Sequence, residues 1–399
     1  MSTLALFGGV PIRQKPFAQW PVFDDTERQA VLDVLESGAW GGYSPTVSSF
    51  EQTFANHHGS RFGISASNGT VTLEMALLAA GIHPGDEVIV PPITFIATAT
   101  AVLRVGAVPV FVDIEPATCN IDPRRLSDAI TPATRAIIPV HFGGHPADMD
   151  AILEIARKRG LIVIEDAAHA HGAHWKDRPV GSFGQFGSFS FQQSKNMTAG
   201  EGGILLTNDE GLAAKARAVS NQGRRQGGAW YEHVTLGTNY RLTGWQAAIL
   251  LAQLARLPEQ MKKRARNAAI LSEALTRGGV LVPPVTDSRV TAHGLYLYVL
   301  RLNTSELADV SVEHFTKALS AEGIPGAATY PYPIYTNKVF ESFAHRRMEC
   351  PESERFCREC FWISHEILLA EEEDLVDFVR AVEKIRDSVS TLPSLRLKI

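Results

Sequence analysis

Between Gly63 and Asp209 the chain alternates short runs of apolar, often β-branched residues with longer stretches of helical periodicity, and Gly, Pro or Asn marks each change. The short runs predict strands over Glu87 to Val90, Val108 to Val112, Ala136 to Val140, Leu161 to Ile164, Gly187 to Phe191 and Gly203 to Thr207. The longer stretches predict helices over Thr26 to Ser37, Thr70 to Ala80, Phe95 to Val105, Met149 to Arg159 and Trp245 to Ala255. Most of the strands are apolar on both faces. Such strands belong to a mostly parallel sheet covered by helices, an α/β domain that binds its ligand where the carboxyl ends of strands open into loops. Candidate functional residues are those that follow a strand.

Beyond about Leu250 the pattern changes. A basic helical stretch, Gln260 to Thr276, leads through a Pro-rich turn at Val282 to Val285 into an alternating strand over Gly294 to Leu302. Two more helices are predicted, Val312 to Glu322 and Glu371 to Asp387. The chain thus divides near Arg256 into a large α/β domain, residues 1–255, and a smaller α+β C-terminal domain, residues 256–399. No internal repeat or low-complexity segment interrupts it.

Composition narrows the function classes. With 45% hydrophobic and 20% charged residues the chain is an ordinary globular one. Its 38 Lys and Arg against 43 Asp and Glu give a net charge of −5, which supplies no basic field for nucleic acid. The longest uncharged stretch, Val88 to Leu103, falls short of the roughly 18 residues that signal a membrane span. The first ten residues lack the basic start and apolar core of a signal peptide, and four cysteines are too few for a disulfide framework, so the expected compartment is the cytoplasm. Cys350, Cys357 and Cys360, with His365, invite a zinc reading. Ser353 to Ile363 reads as a helix in which Cys357 and Cys360 are neighbours on one face, and no metal site is assigned.

The chemistry concentrates at two strand ends. In Leu161-Ile-Val-Ile-Glu-Asp-Ala-Ala-His-Ala-His171 an apolar strand empties into two carboxylates. A carboxylate there is costly unless it meets a cation, although Asp166 also suits a turn cap. Downstream, Gly187-Ser-Phe-Ser-Phe-Gln-Gln-Ser-Lys195 leads into a glycine-rich turn. An amine in such a place can be desolvated into a nucleophile. An acid beyond one strand and a lysine beyond another are what pyridoxal 5′-phosphate (PLP) asks of a protein: the amine holds the cofactor as an imine, and the acid keeps the pyridine nitrogen protonated. Ser65-Ala-Ser-Asn-Gly-Thr70 opens a helix whose free N–H groups could take a phosphate at Gly69 and Thr70, or serve only as a cap. Phe95, after the Glu87 to Val90 strand, is placed either to stack on a planar ring or to join the core.

Taken in order, Ser37-Gly-Ala-Trp-Gly-Gly42, Ser67-Asn-Gly-Thr70, Pro92-Ile-Thr-Phe95, Glu165-Asp-Ala-Ala-His-Ala-His-Gly172, Phe189-Ser-Phe191, Lys195 with Gly200-Glu-Gly-Gly203, and Asn239-Tyr-Arg241 resemble the DegT/StrS-type sugar aminotransferases. These are PLP enzymes of fold type I. The resemblance implies that Lys195 forms the Schiff base, Asp166 pairs with the pyridinium nitrogen, Phe95 stacks on the ring, and Gly69, Thr70 and Ser190 hold the phosphate. It implies a homodimer in which Asn239 reaches the partner's phosphate. His169 stands where much of the family has Gln near the cofactor's phenolic oxygen, as in the aminocyclitol and aminohydroxybenzoate-synthase branch. The tail from Glu349 to His365 resembles that branch too, whereas Thr329-Tyr-Pro-Tyr-Pro-Ile-Tyr335 lacks the histidine of many nucleotide-sugar members.

The implied activity is a ping-pong transfer of an amino group from glutamate or glutamine to a keto-sugar or keto-cyclitol, with Lys195 as general base. Two alternatives remain open, an aminohydroxybenzoate-synthase-like dehydratase and a non-catalytic regulatory relative. The sign of the latter would be loss of Lys195 or Asp166. A dinucleotide-binding reading lacks its Gly-x-Gly-x-x-Gly after the first strand.

Overall fold

The computed structural model describes residues 3–303, 305–307, 310–325 and 327–388. Its main sheet is built from Phe62–Ala66 (β1), Glu87–Val90 (β2), Val108–Phe111 (β3), Thr134–Ile137 (β4), Ile162–Asp166 (β5), Phe186–Ser190 (β6) and Gly203–Thr207 (β7), in the order β1-β7-β6-β5-β4-β2-β3, with the short strand Arg346–Arg347 at the β3 edge. The run from β6 to β3 is parallel, and β7 is antiparallel to both of its neighbours. β5, β6 and β7 are almost entirely buried, as two-sided apolar strands require. A second, antiparallel sheet joins Leu281–Val282 (β8), Leu297–Leu302 (β9) and Cys360–Ser364 (β10) in the order β8-β9-β10.

The helices include Asp25–Ser37 (α1), Pro45–His57 (α2), Gly69–Ala79 (α3), Ala97–Arg104 (α4), Met149–Arg159 (α5), Gly244–Gly278 (α6), Val312–Ala321 (α7), Pro351–Glu359 (α8) and Glu372–Asp387 (α9). Most predicted elements fall within a few residues of these. Two expectations are corrected. The helices predicted over Trp245 to Ala255 and Gln260 to Thr276 are one helix, α6, that runs through Pro258. Proline removes one hydrogen bond there, but Leu250, Leu254 and Leu257 are packed in the core of the main sheet, while Ala268, Leu271 and Leu275 are packed in a second core; burial at both ends holds the helix across the break. The predicted boundary near Arg256 lies inside this helix. Leu4 and Phe17, from the start of the chain, also pack in the second core.

The second correction concerns the cysteines. The helix predicted over Ser353 to Ile363 stops at Glu359, and Cys360 opens β10, so Cys357 and Cys360 do not share a helix face. Alternate residues Phe361 and Ile363 are buried in the second core, and this period-two burial overrides the helical reading. β1 and α2 escape the pattern altogether. β1 reads Phe-Gly-Ile-Ser-Ala, too small and polar to register as an apolar run, yet its pairing with β7 buries it.

Candidate active site

β5 ends in two carboxylates that alternate across the sheet. Glu165 is fully buried and completely used: its oxygens accept from the backbone N–H groups of Gly181 (2.7 Å), Phe183 (2.7 Å) and Gly184 (2.8 Å), and His141 Nε2 lies 3.0 Å away. Asp166 is buried with much less. Its Oδ2 accepts the Thr98 hydroxyl at 2.8 Å and its Oδ1 the Ala168 N–H at 3.2 Å. Burial raises its pKa above the usual carboxylate value, while Thr98, Ala168 and the nearby charge of Lys195 pull it down. A cation brought against Asp166 would therefore be strongly held.

Lys195 lies in the loop after β6, with only 8% of its surface exposed. Its amine sits 4.2 Å from the ring centre of Tyr296 and makes no hydrogen bond or ion pair among the described residues. Tyr296 also packs against His169, with ring centres 4.4 Å apart. His169 Nδ1 accepts the Gly143 N–H at 3.3 Å, which leaves Nε2 to carry the proton. Burial, with the charge of Lys195 beside it, drives its pKa well below the ordinary value, so the ring is neutral.

The start of α3 meets the end of β6. Asn68 caps the helix by accepting from Val71 N at 3.0 Å, leaving the N–H groups of Gly69 and Thr70 without helical partners. Gly69 is required by proximity, since a Cβ there would stand 2.6 Å from Ser190 Cβ. Gly69, Thr70 and Ser190 thus converge on one spot with positive helix potential. Phe95 lies just before α4 and is 59% exposed, so it is not core. Asn239 is exposed on a separate loop beside Tyr240, whose carbonyl accepts from Ser67 N.

Sequence reasoning did not single out Thr98 or Tyr296, and it weighed His365 only as a zinc ligand. Thr98 had a faint signal: with Thr94 it forms a pair of polar positions four apart in an apolar segment, and their hydroxyls are 2.9 Å apart. No helix among the described residues is long and apolar enough to cross a membrane.

The defining pattern of the DegT/DnrJ/EryC1/StrS aminotransferase family matches residues 21–382. The L-glutamine:scyllo-inosose aminotransferase of Streptomyces griseus is 38% identical over 97% of this chain and 98% of its own length. The crystal structure of 3-amino-5-hydroxybenzoic acid synthase superposes with a TM-score of 0.88 and 36% identity, covering 96% of this chain and 100% of that one. The PLP form of the Streptococcus pneumoniae protein Spr1654 superposes at 0.85 with 25% identity, covering 94% and 100%. The large, mostly parallel sheet is that of a fold-type I aminotransferase, and the chain belongs to the DegT/DnrJ/EryC1/StrS aminotransferase family.

Proposed function

We propose that this aminotransferase uses PLP to move an amino group from glutamine or glutamate to a keto-cyclitol or keto-sugar. The observation that carries the proposal is the pairing of Asp166, buried without a bonded cation, with the buried and unpartnered amine of Lys195. The residues present fit the cofactor. Gly69 has the close approach to Ser190 that a phosphate cradle needs, and Asp166 has acceptor capacity left for a ring N–H. When bound, PLP supplies an electron sink that stabilises the carbanion next to the transferred nitrogen.

The chain's own residues do the rest. Thr98 aims the Asp166 carboxylate and keeps it from turning away. Lys195 would anchor the cofactor and, once freed as an amine, would serve as general base for the 1,3-proton shift between the substrate carbon that bears the nitrogen and the cofactor carbon that receives it. His169 would present its Nε2–H to the cofactor's phenolic oxygen, Phe95 would cover the ring, and Gly69, Thr70 and Ser190 would hold the phosphate. We assign residues 1–255 to the cofactor-binding domain and 256–399 to the smaller one, α6 spanning both; residues 389–399 lie outside the described residues. The Streptomyces griseus relative, named for scyllo-inosose, favours a cyclitol acceptor.

A homodimer completes the reading, with Asn239 reaching the partner's phosphate. The exposed Phe23, Leu32 and Leu35 at α1, and Trp230, Tyr231 and Leu236 just before Asn239, offer the apolar surface for it. The site proposal predicts a yellow protein in which borohydride reduction and peptide mass spectrometry mark Lys195; a colourless protein that cannot be reconstituted with PLP overturns it. His169 and the superposition on aminohydroxybenzoate synthase favour a second reading, an aromatising dehydratase. Product analysis with an aminodehydroshikimate substrate separates the two.

A further inference from the structure

The loop that carries Lys195 is tied down by distant parts of the chain. Trp20 donates its indole N–H to the Gln193 carbonyl at 2.9 Å, His365 Nε2 lies 2.9 Å from the Ser194 carbonyl, and Asn196 donates its side-chain amide to the Gly294 carbonyl at 2.5 Å. The Ser194 hydroxyl also meets the Tyr296 hydroxyl at 2.8 Å. Lys195 sits in the middle of these ties.

Behind His365 stands Arg264 of α6, 0% exposed. Among the described residues it forms no ion pair with a carboxylate. One N–H donates to His365 Nδ1 at 3.0 Å and another reaches Met261 Sδ at 3.6 Å, while Nε has no partner; the group stands 5.4 Å from the Trp20 ring centre. Burial lowers its pKa to about 9, which still leaves it charged at neutral pH. The charge of Glu366 nearby favours the cation but bonds to it nowhere. A buried cation bonded to no carboxylate is an expensive way to fill space, since an apolar chain of similar length packs at lower cost.

What the guanidinium does, and an apolar group cannot, is select a tautomer. It carries donors only, so His365 Nδ1 must accept. Burial, with Arg264 next in weight, pushes the His365 pKa well below its ordinary value, so the ring holds a single proton. That proton is on Nε2 and is donated to Ser194. The other tautomer would set a lone pair against the Ser194 carbonyl.

We propose that Arg264 and His365 are positioning residues for Lys195: Arg264 fixes the imidazole tautomer, and the hydrogen bond it donates to Ser194 holds the lysine so that its amine lies over Tyr296, facing the site. This rests on reading Lys195 as the cofactor lysine. Arg264→Met keeps the volume and removes the donors. It is expected to leave the melting temperature of the cofactor-free protein unchanged or higher. The rate at which added PLP becomes the lysine-bound chromophore should fall about 10- to 100-fold, and kcat with it, as for the loss of a group that orients a reacting residue. His365→Gln can accept from Arg264 and donate to Ser194, so it should stay within about threefold of the parent, whereas His365→Leu should match Arg264→Met.

Capture of PLP by Arg264→Met at the parent's rate overturns the proposal. So does a His365→Gln protein as slow as His365→Leu, or a set of losses that simply tracks melting temperature. Should Arg264→Met fail to fold, the two His365 variants decide alone. Borohydride marking of the parent keeps the two readings apart. An unmarked Lys195 in the parent defeats the site assignment, while a marked Lys195 with unchanged capture in the variants defeats only the positioning role.

Discussion

Glu165 and Asp166 are consecutive residues on one strand, both carboxylates and both buried, yet their surroundings differ in kind. Glu165 faces the Gly181 to Gly184 turn, where three backbone N–H groups and His141 use up its oxygens. Asp166 faces the end of the sheet where Lys195 waits, and receives one hydroxyl and one long backbone contact. The pleat explains the division, since successive side chains point to opposite faces. A satisfied buried charge holds a turn; an under-satisfied one stores attraction for a ligand at the expense of the empty protein's stability. The lesson is that bonding, rather than burial, separates the structural acid from the one proposed to hold the cofactor.

The largest expected effect removes what Asp166 works with. Lys195→Ala should lower kcat by about 10⁴-fold or more, because the covalent anchor and the proton carrier disappear together. Steady-state assay of the reconstituted variant checks it, and turnover at the parent's rate with any donor and acceptor would sink the whole reading.

Asp166→Asn comes next. With no charge to hold the ring proton, turnover should drop about 10²- to 10³-fold. The cofactor-free protein should respond in the opposite sense. Burial raises the Asp166 pKa in the folded chain, so the folded state binds this proton more tightly than the unfolded state does. The contribution to stability is therefore complete below the unfolded carboxylate value of about 3.9 and is lost as pH rises through the raised one. The variant lacks this loss. Urea unfolding without cofactor between pH 4.5 and 8 should show Asp166→Asn gaining on the parent as pH increases; a gap that stays flat, or closes, contradicts the raised pKa.

Glu165→Gln tests the other half of the comparison. A carboxamide places an N–H₂ against one of the backbone donors, so the variant should lose about 2–4 kcal/mol of stability in urea unfolding. Once folded, it should bind PLP with an unaltered absorbance spectrum. A cofactor defect without a stability defect would mean that the two acids have exchanged roles.

How far this contrast is legible in the chain depends on the range of the contacts. The strand ends, their acid and lysine, and the small residues at Gly69 and Gly203 follow from local pattern, because each is set by the element it terminates. Glu165 and Asp166 cannot be ranked that way: their partners, His141 and Gly181 to Gly184 for one and Thr98 of α4 for the other, come from different parts of the chain. Tyr296 over Lys195 and His365 behind Ser194 are likewise products of the second core meeting the first. Local signals also yield where tertiary burial outweighs them, as in α6 running through Pro258 and in β10 replacing the end of a predicted helix at Cys360.

The smallest expected effect concerns Phe95, at the rim of the acid's side of the sheet. Its ring is exposed and contributes little to folding, so Phe95→Leu should leave thermal stability of the cofactor-free protein unchanged. The same exposure frees the ring to lie on a planar partner, and an aromatic contact of this kind is worth about 0.5–1.5 kcal/mol beyond its area. The variant should therefore bind PLP roughly 2- to 12-fold more weakly, measured by titrating the apoenzyme and following absorbance. Weaker binding with stability intact places Phe95 with Asp166, among residues whose energy is released only when the cofactor arrives. Loss of stability with binding intact would instead put it beside Glu165, in the scaffold.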